Sequence, residues 1–556
     1  MERRKPWIGP VVLTIAALAA YAAGFMRGRD ALVEDLKRLS PLFLAVTFFA
    51  LVVLWIVNAK KIFAPFAALP KRALIQLGLV AALALGLAVF VAPRTHRIYY
   101  DESIDLHIGQ SIAYTGRAQM VNFGEIRSGQ LIVRQGEYNK QPNAYPFLLS
   151  LVYRLFGCSE SLSFLFNNMV FVLGALTIFG IALLLFGDPK TGLYAALVWM
   201  AIPQNILWHG TTSAEPSTTL FLALTVFLTL GAARSGDLRF YGLAAVSGCF
   251  AAQFRMESLL ILPLVLAIVG LTDRKAFRDP KLYYLVPAVL ALLWAHATHL
   301  VSFGGHAWGA IGTQKTFSLA YLGRNLMMNG GFFMNGRDFP VLLTLFAILA
   351  VISRRFITER LVLLVWFALF WGVFLFFYAG SYYYGADVRF SLMALPPLAI
   401  LSARGLAMAD DAVRQRLKVR APLALGVIVA AFLAFAPKAR TVGQEAWAAR
   451  ADHFYAKEML KTIPRDGLVF THNPNMFLFW GRSSAQASQL LAYDETGLQG
   501  LREEFPGGLY FHYNYWCSVD DPLQKSFCRS ILERFSHREI ASFKERDYTY
   551  VLYRLD

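Results

Sequence analysis

Long apolar runs separated by short polar loops constrain this chain more than any other feature. Thirteen runs reach or approach the ~20 residues that a helix needs to cross a bilayer. They lie at about 7–25, 41–59, 73–92, 162–186, 191–208, 214–233, 239–254, 257–272, 282–303, 339–353, 361–379, 390–407 and 421–437. The charged fraction of 16% is also well below the ~25% of soluble domains. We therefore predict an α-helical polytopic membrane protein with about 13 transmembrane helices.

The basic residues predict its orientation. Most of the predicted inside loops, such as 60–72, 273–281, 354–360 and 408–420, carry two or more Lys or Arg, as cytoplasmic loops of membrane proteins do. Thirteen crossings then place the N-terminus inside and residues 93–161 and everything after 437 outside, in a cytoplasmic (inner) membrane. The N-terminal run fits an uncleaved anchor, with a cleaved signal peptide as the alternative. Clustering of the positive charge in loops, with no soluble reading motif, argues against a nucleic-acid partner.

Three regions follow from this pattern. Residues 1–92 hold the first transmembrane helices, and 93–437 form a transmembrane catalytic module with an outer loop at 93–160. Residues 438–556 alternate predicted strands and helices, which predicts a small extracytoplasmic α/β domain. Outside the cytoplasm, Cys517 and Cys528 are expected to form a disulfide; two free thiols are the alternative.

Ionisable residues concentrate at the predicted outer ends of the spans. Such groups are costly at membrane depth and face a cavity or one another, so we expect a polar cleft on the outer side. For any single residue a solvated loop-end charge is the alternative, and it is weaker for Glu215 and Arg255, which stand in apolar sequence. The candidates are Asp101, Glu102, Lys140, Glu215, Arg255, Glu257, His306, Asp387 and Arg389.

The order of these residues resembles that of the membrane glycosyltransferases of the C-type fold. The similar branch contains the protein O-mannosyltransferases and the lipid A aminoarabinose transferases. The matching segments are Asp101-Glu102, Lys140-Gln141-Pro142 with Tyr145, "LFG" at 155–157, "TTSAEPSTTLFLAL" with Glu215, "AAQFRMESLLILP" with Arg255, and Arg389-Phe390. They run through residues 93–437 in the family's order.

The resemblance implies inverting transfer of one sugar from a polyprenyl-phosphate donor to a glycan, lipid or protein acceptor on the outer side of the membrane. It implies no required cofactor, with a divalent metal ion, which related oligosaccharyltransferases use, as the less favoured alternative. An acceptor needs a general base, for which Asp101 is the candidate, with Glu102 orienting the acceptor or the base, and Glu215 sharing the base role or orienting Lys140. A phosphate leaving group needs fixed positive charge, which Lys140, Arg255 and Arg389 would supply. Tyr100, Tyr145, His306 and Asp387 are candidate substrate-binding residues.

Two other functional classes remain open. A multispan transporter or lipid flippase also has many spans and buried charges, although it often shows an internal repeat, and none is visible here. An O-antigen polymerase or ligase-like enzyme would place essential Arg and His residues in a late outer loop, and 304–338 contains His306, Arg324 and Arg337. A structural membrane scaffold would not need cleft residues.

Overall fold

The protein is mostly helical, with one mixed β-sheet. The structure is a computed structural model, and it describes residues 7–98, 100–303, 315–336, 338–382, 387–417, 426–430 and 451–556. The chain forms two compact units. The membrane unit comprises Met1–Arg94, Lys140–Tyr145 and Ser163–Gly443, and the sheet unit comprises Thr95–Asn139, Pro146–Leu162 and Gln444–Asp556. This division differs from the expected one, because most of the outer loop 93–160 groups with the C-terminal region.

Seven helices in the described part of the chain are long and apolar enough to cross a membrane. They are α1 (Ile8–Phe25), α2 (Arg29–Ala67), α3 (Lys71–Gly86, continued to Val91), α6 (Glu160–Phe186), α9 (Glu215–Ser235), α16 (Ile357–Leu375) and α17 (Leu395–Leu417, within the apolar helical stretch Val388–Arg416). Helices α12 (Leu285–Leu292) and α13 (Trp294–Phe303) together make an eighth span bent by 51°. The protein is thus a multi-pass membrane protein.

Among the described residues, uninterrupted spans are fewer than the thirteen apolar runs. Run 191–208 is divided into α7 (Pro189–Ala201) and α8 (Pro203–His209), because Pro203 restricts the residue before it to extended backbone. Run 421–437 lies mostly outside the described residues. The remaining helices of this unit are short: α10 (Leu238–Ala252), α11 (Ile261–Thr272), α14 (Leu322–Phe332) and α15 (Val341–Ile352).

Local capping fixes the turn that joins α9 to α10. Gly236 ends α9 with φ 62°, and its N–H donates to the carbonyl of Ala232; glycine adopts this left-handed backbone at little cost. The next residue, Asp237, caps α10 by accepting hydrogen bonds from the N–H groups of Arg239 and Phe240. The two helices therefore pack as an antiparallel pair.

The sheet unit contains a seven-stranded sheet in the order β2-β1-β4-β3-β5-β7-β6. The strands are β1 (Met120–Arg127), β2 (Gln130–Glu137), β3 (Leu468–Thr471), β4 (Ser483–Gln486), β5 (Leu509–Tyr513), β6 (His537–Glu545) and β7 (Tyr548–Leu555). The β4-β3-β5 core is parallel and the flanking pairs are antiparallel. Helices α4 (Asp101–Thr115), α5 (Ala144–Phe156), α18 (Ala451–Leu460), α19 (Pro474–Phe479), α20 (Glu495–Glu504), α21 (Tyr515–Ser518) and α22 (Pro522–Arg534) complete this list.

Both faces of the sheet are covered. Alternation along β3 places Phe470 in one apolar cluster and Val469 in the other, and along β5 it does the same for Phe511 and Tyr510. The predicted small C-terminal α/β region is confirmed. Its sheet also takes in β1 and β2 from the first long polar loop, which the sequence interpretation did not anticipate.

Candidate active site

A buried carboxylate in the membrane unit binds two guanidinium groups. Glu215 is the first residue of α9, and 1% of its surface is exposed. Its Oε1 lies 2.5 Å from Nη1 of Arg255 and 3.0 Å from Nε of Arg389. Its position in the first helical turn also favours negative charge, because the N-terminal end of a helix is electropositive. Three of the candidate residues therefore meet at one point.

A second carboxylate and an aromatic ring complete this cluster. The Nε of Arg255 lies 2.5 Å from Oε1 of Glu257. The Phe390 ring centre is 5.3 Å from the guanidinium carbon of Arg255 and 5.1 Å from that of Arg389, within the range of cation–π attraction. Two carboxylates thus balance two guanidinium groups, whose planes are held by ion pairs and by the ring.

The segment Lys140–Tyr145 is fixed to the same unit by its backbone and by Tyr145. The carbonyl of Lys140 is 2.8 Å from Nε2 of His299. The N–H of Ala144 donates to the carbonyl of Gln253, two residues before Arg255. The buried Tyr145 hydroxyl donates to the carbonyl of Thr212, three residues before Glu215. Lys140 itself is exposed. The segment that begins with it is anchored by hydrogen bonds next to the stretches of chain that lead to Glu215 and Arg255.

Two further candidates cannot be placed at this cluster. Asp387 is described as the first residue of the 3-10 helix Asp387–Ala394, two positions before Arg389. His306 lies outside the described residues. Both remain predictions from the sequence.

In the sheet unit, the adjacent Asp101 and Glu102 have different environments. Both stand in the first turn of α4, and Asp101 is exposed while Glu102 is fully buried. The Oε1 of Glu102 accepts hydrogen bonds from the N–H groups of Arg97 (2.7 Å) and Ile98 (2.9 Å). Its Oε2 lies 2.9 Å from Nδ1 of His96. Glu102 therefore holds the chain before α4, and Asp101 is the carboxylate of the pair that faces solvent.

The residue before this pair is also held in place. Tyr100 has φ 71°, a backbone region that side chains other than glycine adopt rarely. Its hydroxyl accepts a hydrogen bond of 3.0 Å from Nδ2 of Asn514, and its ring centre is 6.2 Å from that of Trp516. These contacts and those of Glu102 fix the chain on both sides of Asp101.

Charges around His96 affect two histidine pKa values. Burial opposes protonation of His96, but Glu102 and Glu160 outweigh it and raise its pKa to about 9. Burial, with the positive charge of His96, lowers the pKa of His453 to about 4, against the opposing effect of Glu160. Where no metal is bound, His96 is therefore an imidazolium at neutral pH and His453 is neutral.

Two groups of described residues have the composition of a metal site, with their ligand atoms within 4.8 Å of one another. One is His472 with Cys517 and Cys528, and the other is His96 with Glu160 and His453. Cys517 and Cys528 are joined in a disulfide, so neither is a thiolate ligand. Sequence reasoning did not single out the second group, because its members are 64 and 293 residues apart and form no motif.

Part of the chain matches a known family model. Residues 140–299 match the model of the family described as dolichyl-phosphate-mannose-protein mannosyltransferase. This stretch contains Lys140, Tyr145, Glu215 and Arg255, and it ends at His299, the residue that binds the Lys140 carbonyl. None of the curated proteins matches the chain in sequence.

Solved structures share its architecture. ArnT from Cupriavidus metallidurans in the apo state aligns with a TM-score of 0.55 at 13% identity, covering 87% of this chain and 98% of that one. The same protein bound to undecaprenyl phosphate gives 0.55 at 14% identity, covering 86% and 97%. The Archaeoglobus fulgidus oligosaccharyltransferase, in complex with Zn and sulfate, gives 0.50 at 14% identity, covering 79% of this chain and 67% of that one.

The likenesses to solved structures show a shared fold, and the family match adds sequence similarity across the segment that carries five of the candidate residues. Together they support a glycosyltransferase. The chain is a multi-pass membrane protein with the C-type glycosyltransferase fold, as its motifs predicted.

Proposed function

We propose that this protein transfers one sugar from a polyprenyl-phosphate donor to a glycan, lipid or protein acceptor on the outer side of the cytoplasmic membrane, with inversion at the anomeric carbon. The observation that carries the proposal is the convergence of Arg255 and Arg389 on Glu215 in the membrane unit. A buried pair of guanidinium groups, held by carboxylates, is suited to a ligand that brings fixed negative charge.

The leaving group explains why positive charge is needed. Departure of a polyprenyl phosphate leaves negative charge on its oxygens, and guanidinium groups stabilise such oxygens through charge-assisted hydrogen bonds. The ion pairs with Glu215 and Glu257 hold the two guanidinium groups in fixed orientations, and a guanidinium presents its N–H donors in the planar arrangement that suits phosphate oxygens. Lys140, on the segment anchored beside this cluster, is the third cation that we assign to the donor phosphate.

The relatives support a lipid-linked donor. The matching family is described by a dolichyl-phosphate-mannose donor, and the ArnT structure is bound to undecaprenyl phosphate. Both lipids carry a polyprenyl-type chain on a phosphate. A donor of this kind stays in the bilayer through its chain, which accounts for the multispan unit that bears Arg255 and Arg389.

We assign the base to Asp101. As the acceptor oxygen or nitrogen attacks the anomeric carbon, its proton passes to the Asp101 carboxylate. The bond from that carbon to the phosphate oxygen breaks, and its electron pair leaves with the phosphate. Glu102 is a positioning residue in this scheme, because its oxygens bind His96 and two backbone N–H groups. Glu215 likewise positions the two arginines, which revises its expected role as a partner of the base.

The test uses the full-length protein in lipid nanodiscs. A radiolabelled polyprenyl-phosphate sugar and a membrane extract are supplied to the wild type, to Arg255→Met and to the control Arg274→Met. Arg274 stands in the predicted inside loop 273–281, where its Nε binds the Gly270 carbonyl. We expect label to move to an acceptor with the wild type and the control, and both donor binding and transfer to fall at least tenfold with Arg255→Met.

The same assay separates transfer from transport. If the wild type binds the lipid donor and leaves the sugar–phosphate bond intact with every extract, the glycosyltransferase proposal is wrong. Movement of the labelled donor from one leaflet to the other in liposomes that contain the purified protein would then support a flippase. Identification of the labelled product shows whether the acceptor is a glycan, a lipid or a protein.

Sidedness has its own test. In a background without Cys158 and Cys249, cysteine replaces the exposed Asp547 in the β6–β7 turn or the exposed Lys275 in a predicted inside loop. In intact spheroplasts an impermeant maleimide should label Asp547→Cys and leave Lys275→Cys unmodified until the membrane is opened. The opposite pattern would reverse the proposed orientation.

A further inference from the structure

Three segments of the sheet unit bring nitrogen and oxygen ligand atoms to one place. His96 precedes α4, Glu160 is the first residue of α6, and His453 lies on α18. Nε2 of His453 is 3.2 Å from Oε1 of Glu160, and Nε2 of His96 is 3.6 Å from the same oxygen. Ligands bound tetrahedrally to zinc at about 2.0–2.1 Å lie about 3.3 Å apart. The two observed separations are close to this value, and all three ligand atoms lie within 4.8 Å of one another.

The surroundings of the cluster resemble the support that metal ligands require. Nδ1 of His96 is 2.9 Å from Oε2 of Glu102, and the other oxygen of Glu102 is fixed by two backbone N–H groups. A carboxylate that accepts from the far nitrogen of a histidine sets its tautomer and leaves Nε2 for a metal. Trp480 donates through Nε1 to Oε1 of Glu160 at 2.7 Å, which orients the carboxylate.

A further observation concerns His453. Its side chain is 14% exposed, and its Nε2 atom is buried. Its Nε2 has no hydrogen bond of good geometry to any other described residue, although it lies near Glu160. A buried nitrogen without a hydrogen bond destabilises the folded state, and coordination of a cation by that nitrogen would remove this penalty.

We propose that His96, Glu160 and His453 bind a divalent transition-metal ion, with zinc as the cation their ligand set suits best. Two imidazoles and one carboxylate are a zinc ligand set that leaves a fourth position for water. The site joins the chain before Asp101 to α6 and to α18, so the metal orders the segment that presents Asp101. This inference concerns the sheet unit alone and holds whether or not the proposed transfer reaction is correct.

The competing arrangement is an ion-pair cluster without metal. Nζ of Lys457 contacts Oε2 of Glu160, and protonated His96 lies between Glu102 and Glu160. The two arrangements respond oppositely to loss of the lysine charge. Removal of a nearby cation strengthens binding of a metal ion, whereas it weakens an ion-pair cluster.

The experiment measures metal content and cobalt spectra of the full-length protein. Protein stripped with a chelator is titrated with Zn²⁺ or Co²⁺ alone. We expect one equivalent of Zn²⁺ to bind and raise Tm, and Co²⁺ to give the visible absorption of a four-coordinate site. His453→Ala should abolish both, and Glu102→Gln should weaken binding ten- to hundredfold through His96. The control His472→Ala, in the other group, should change neither.

The variant Lys457→Met distinguishes the metal site from the ion-pair cluster. Tighter Zn²⁺ binding than in the wild type, with Tm raised by the metal, supports the site. Absence of bound Zn²⁺ and of any Co²⁺ spectrum in the folded wild type overturns it, and this readout does not depend on any variant folding. A lower Tm of Lys457→Met that Zn²⁺ does not restore would establish the ion-pair cluster instead.

Discussion

Asp101 and Glu102 are neighbours in sequence, yet the first is exposed and the second is completely buried against His96. At the start of a helix, consecutive side chains point about 100° apart, because the helix has 3.6 residues per turn. Of two adjacent acidic residues at this point, one side chain can therefore face solvent while the other is buried in the protein. This difference separates their expected roles.

Asp101→Asn should abolish transfer and keep the fold. A general base contributes about 10²–10⁴-fold, so kcat should fall by that range while donor binding and Tm stay near wild type. The control is Asp105→Asn, one turn further along α4, which should retain activity. Normal kcat in Asp101→Asn would remove Asp101 from the chemistry.

Glu102→Gln should act mainly on stability. The substitution removes the carboxylate that binds His96, whether His96 is an imidazolium or a metal ligand. The expected loss in the free energy of unfolding is about 1–3 kcal/mol. Tm should fall, and the remaining activity should show an unchanged dependence on donor concentration. A fully stable variant with kcat lowered as far as in Asp101→Asn would mean that Glu102 takes the proton itself.

Glu215→Gln distinguishes a base from a residue that positions arginines. Loss of one partner from a buried ion pair costs about 3–5 kcal/mol, so Tm should fall. Arg255 and Arg389 would lose their common anchor, so KM for the lipid donor should rise and kcat should fall with it, because the arginines also stabilise the leaving phosphate. A fall in kcat at constant KM would instead favour a role in proton transfer.

Acid should destabilise the sheet unit through His512 on β5. Burial lowers the pKa of this histidine to about 3, below the 6.5 of the unfolded chain, and its Nδ1 is 3.0 Å from the Thr471 hydroxyl. As pH falls, the unfolded state binds the proton at a higher pH than the folded state does. The contribution of neutral His512 to the free energy of unfolding is therefore complete above pH 6.5 and is lost as pH falls towards 3. At pH 5 the loss is about 2 kcal/mol.

The measurement is the unfolding midpoint of the full-length protein between pH 7.5 and 5. His512→Asn can keep the bond to Thr471 and should flatten the pH dependence, whereas the exposed His537→Asn should leave it unchanged. Equal slopes for wild type and His512→Asn would contradict the assignment.

The disulfide between Cys517 and Cys528 should stabilise the same unit. It joins residues 11 apart at α21 and α22, and a loop of this length contributes about 2–3 kcal/mol by restricting the unfolded chain. Replacement of both cysteines by alanine should lower the urea midpoint, and reduction of the wild type should reproduce most of the loss. Cys158→Ala is the control, and an unchanged midpoint in both treatments would rule out a stabilising disulfide.

Local pattern was enough to predict the seven long apolar helices of the described residues and the C-terminal strands β3, β5 and β7. It also singled out Arg255 and Arg389, which the structure brings to Glu215. Each of these depends on a short stretch of sequence, such as the polar interruption that carries Arg255. The breaks in the helices were less visible, because Pro203 stands in a run that is apolar throughout.

Long-range partners were not predictable. The pairing of Phe123 with Ala485 joins β1 to β4 across more than 350 residues, and the approach of His453 to Glu160 spans nearly 300. No periodicity or spacing records such contacts, since they follow from how the completed sheet and its helices pack. A single sequence therefore indicates the helices and strands, but not which of them pair when they are far apart along the chain.

The strand order β2-β1-β4 has a consequence for the synthesis of the chain. β1 and β2 are made before most of the membrane helices, whereas β4, on which β1 pairs, is made after residue 480. A lone two-stranded hairpin is marginally stable in water. During translation these two strands stay without their partner, already exported if the proposed orientation holds, until the spans between them have been inserted and β4 has emerged. The segment with Asp101 thus acquires its folded neighbours only after those membrane helices have been made.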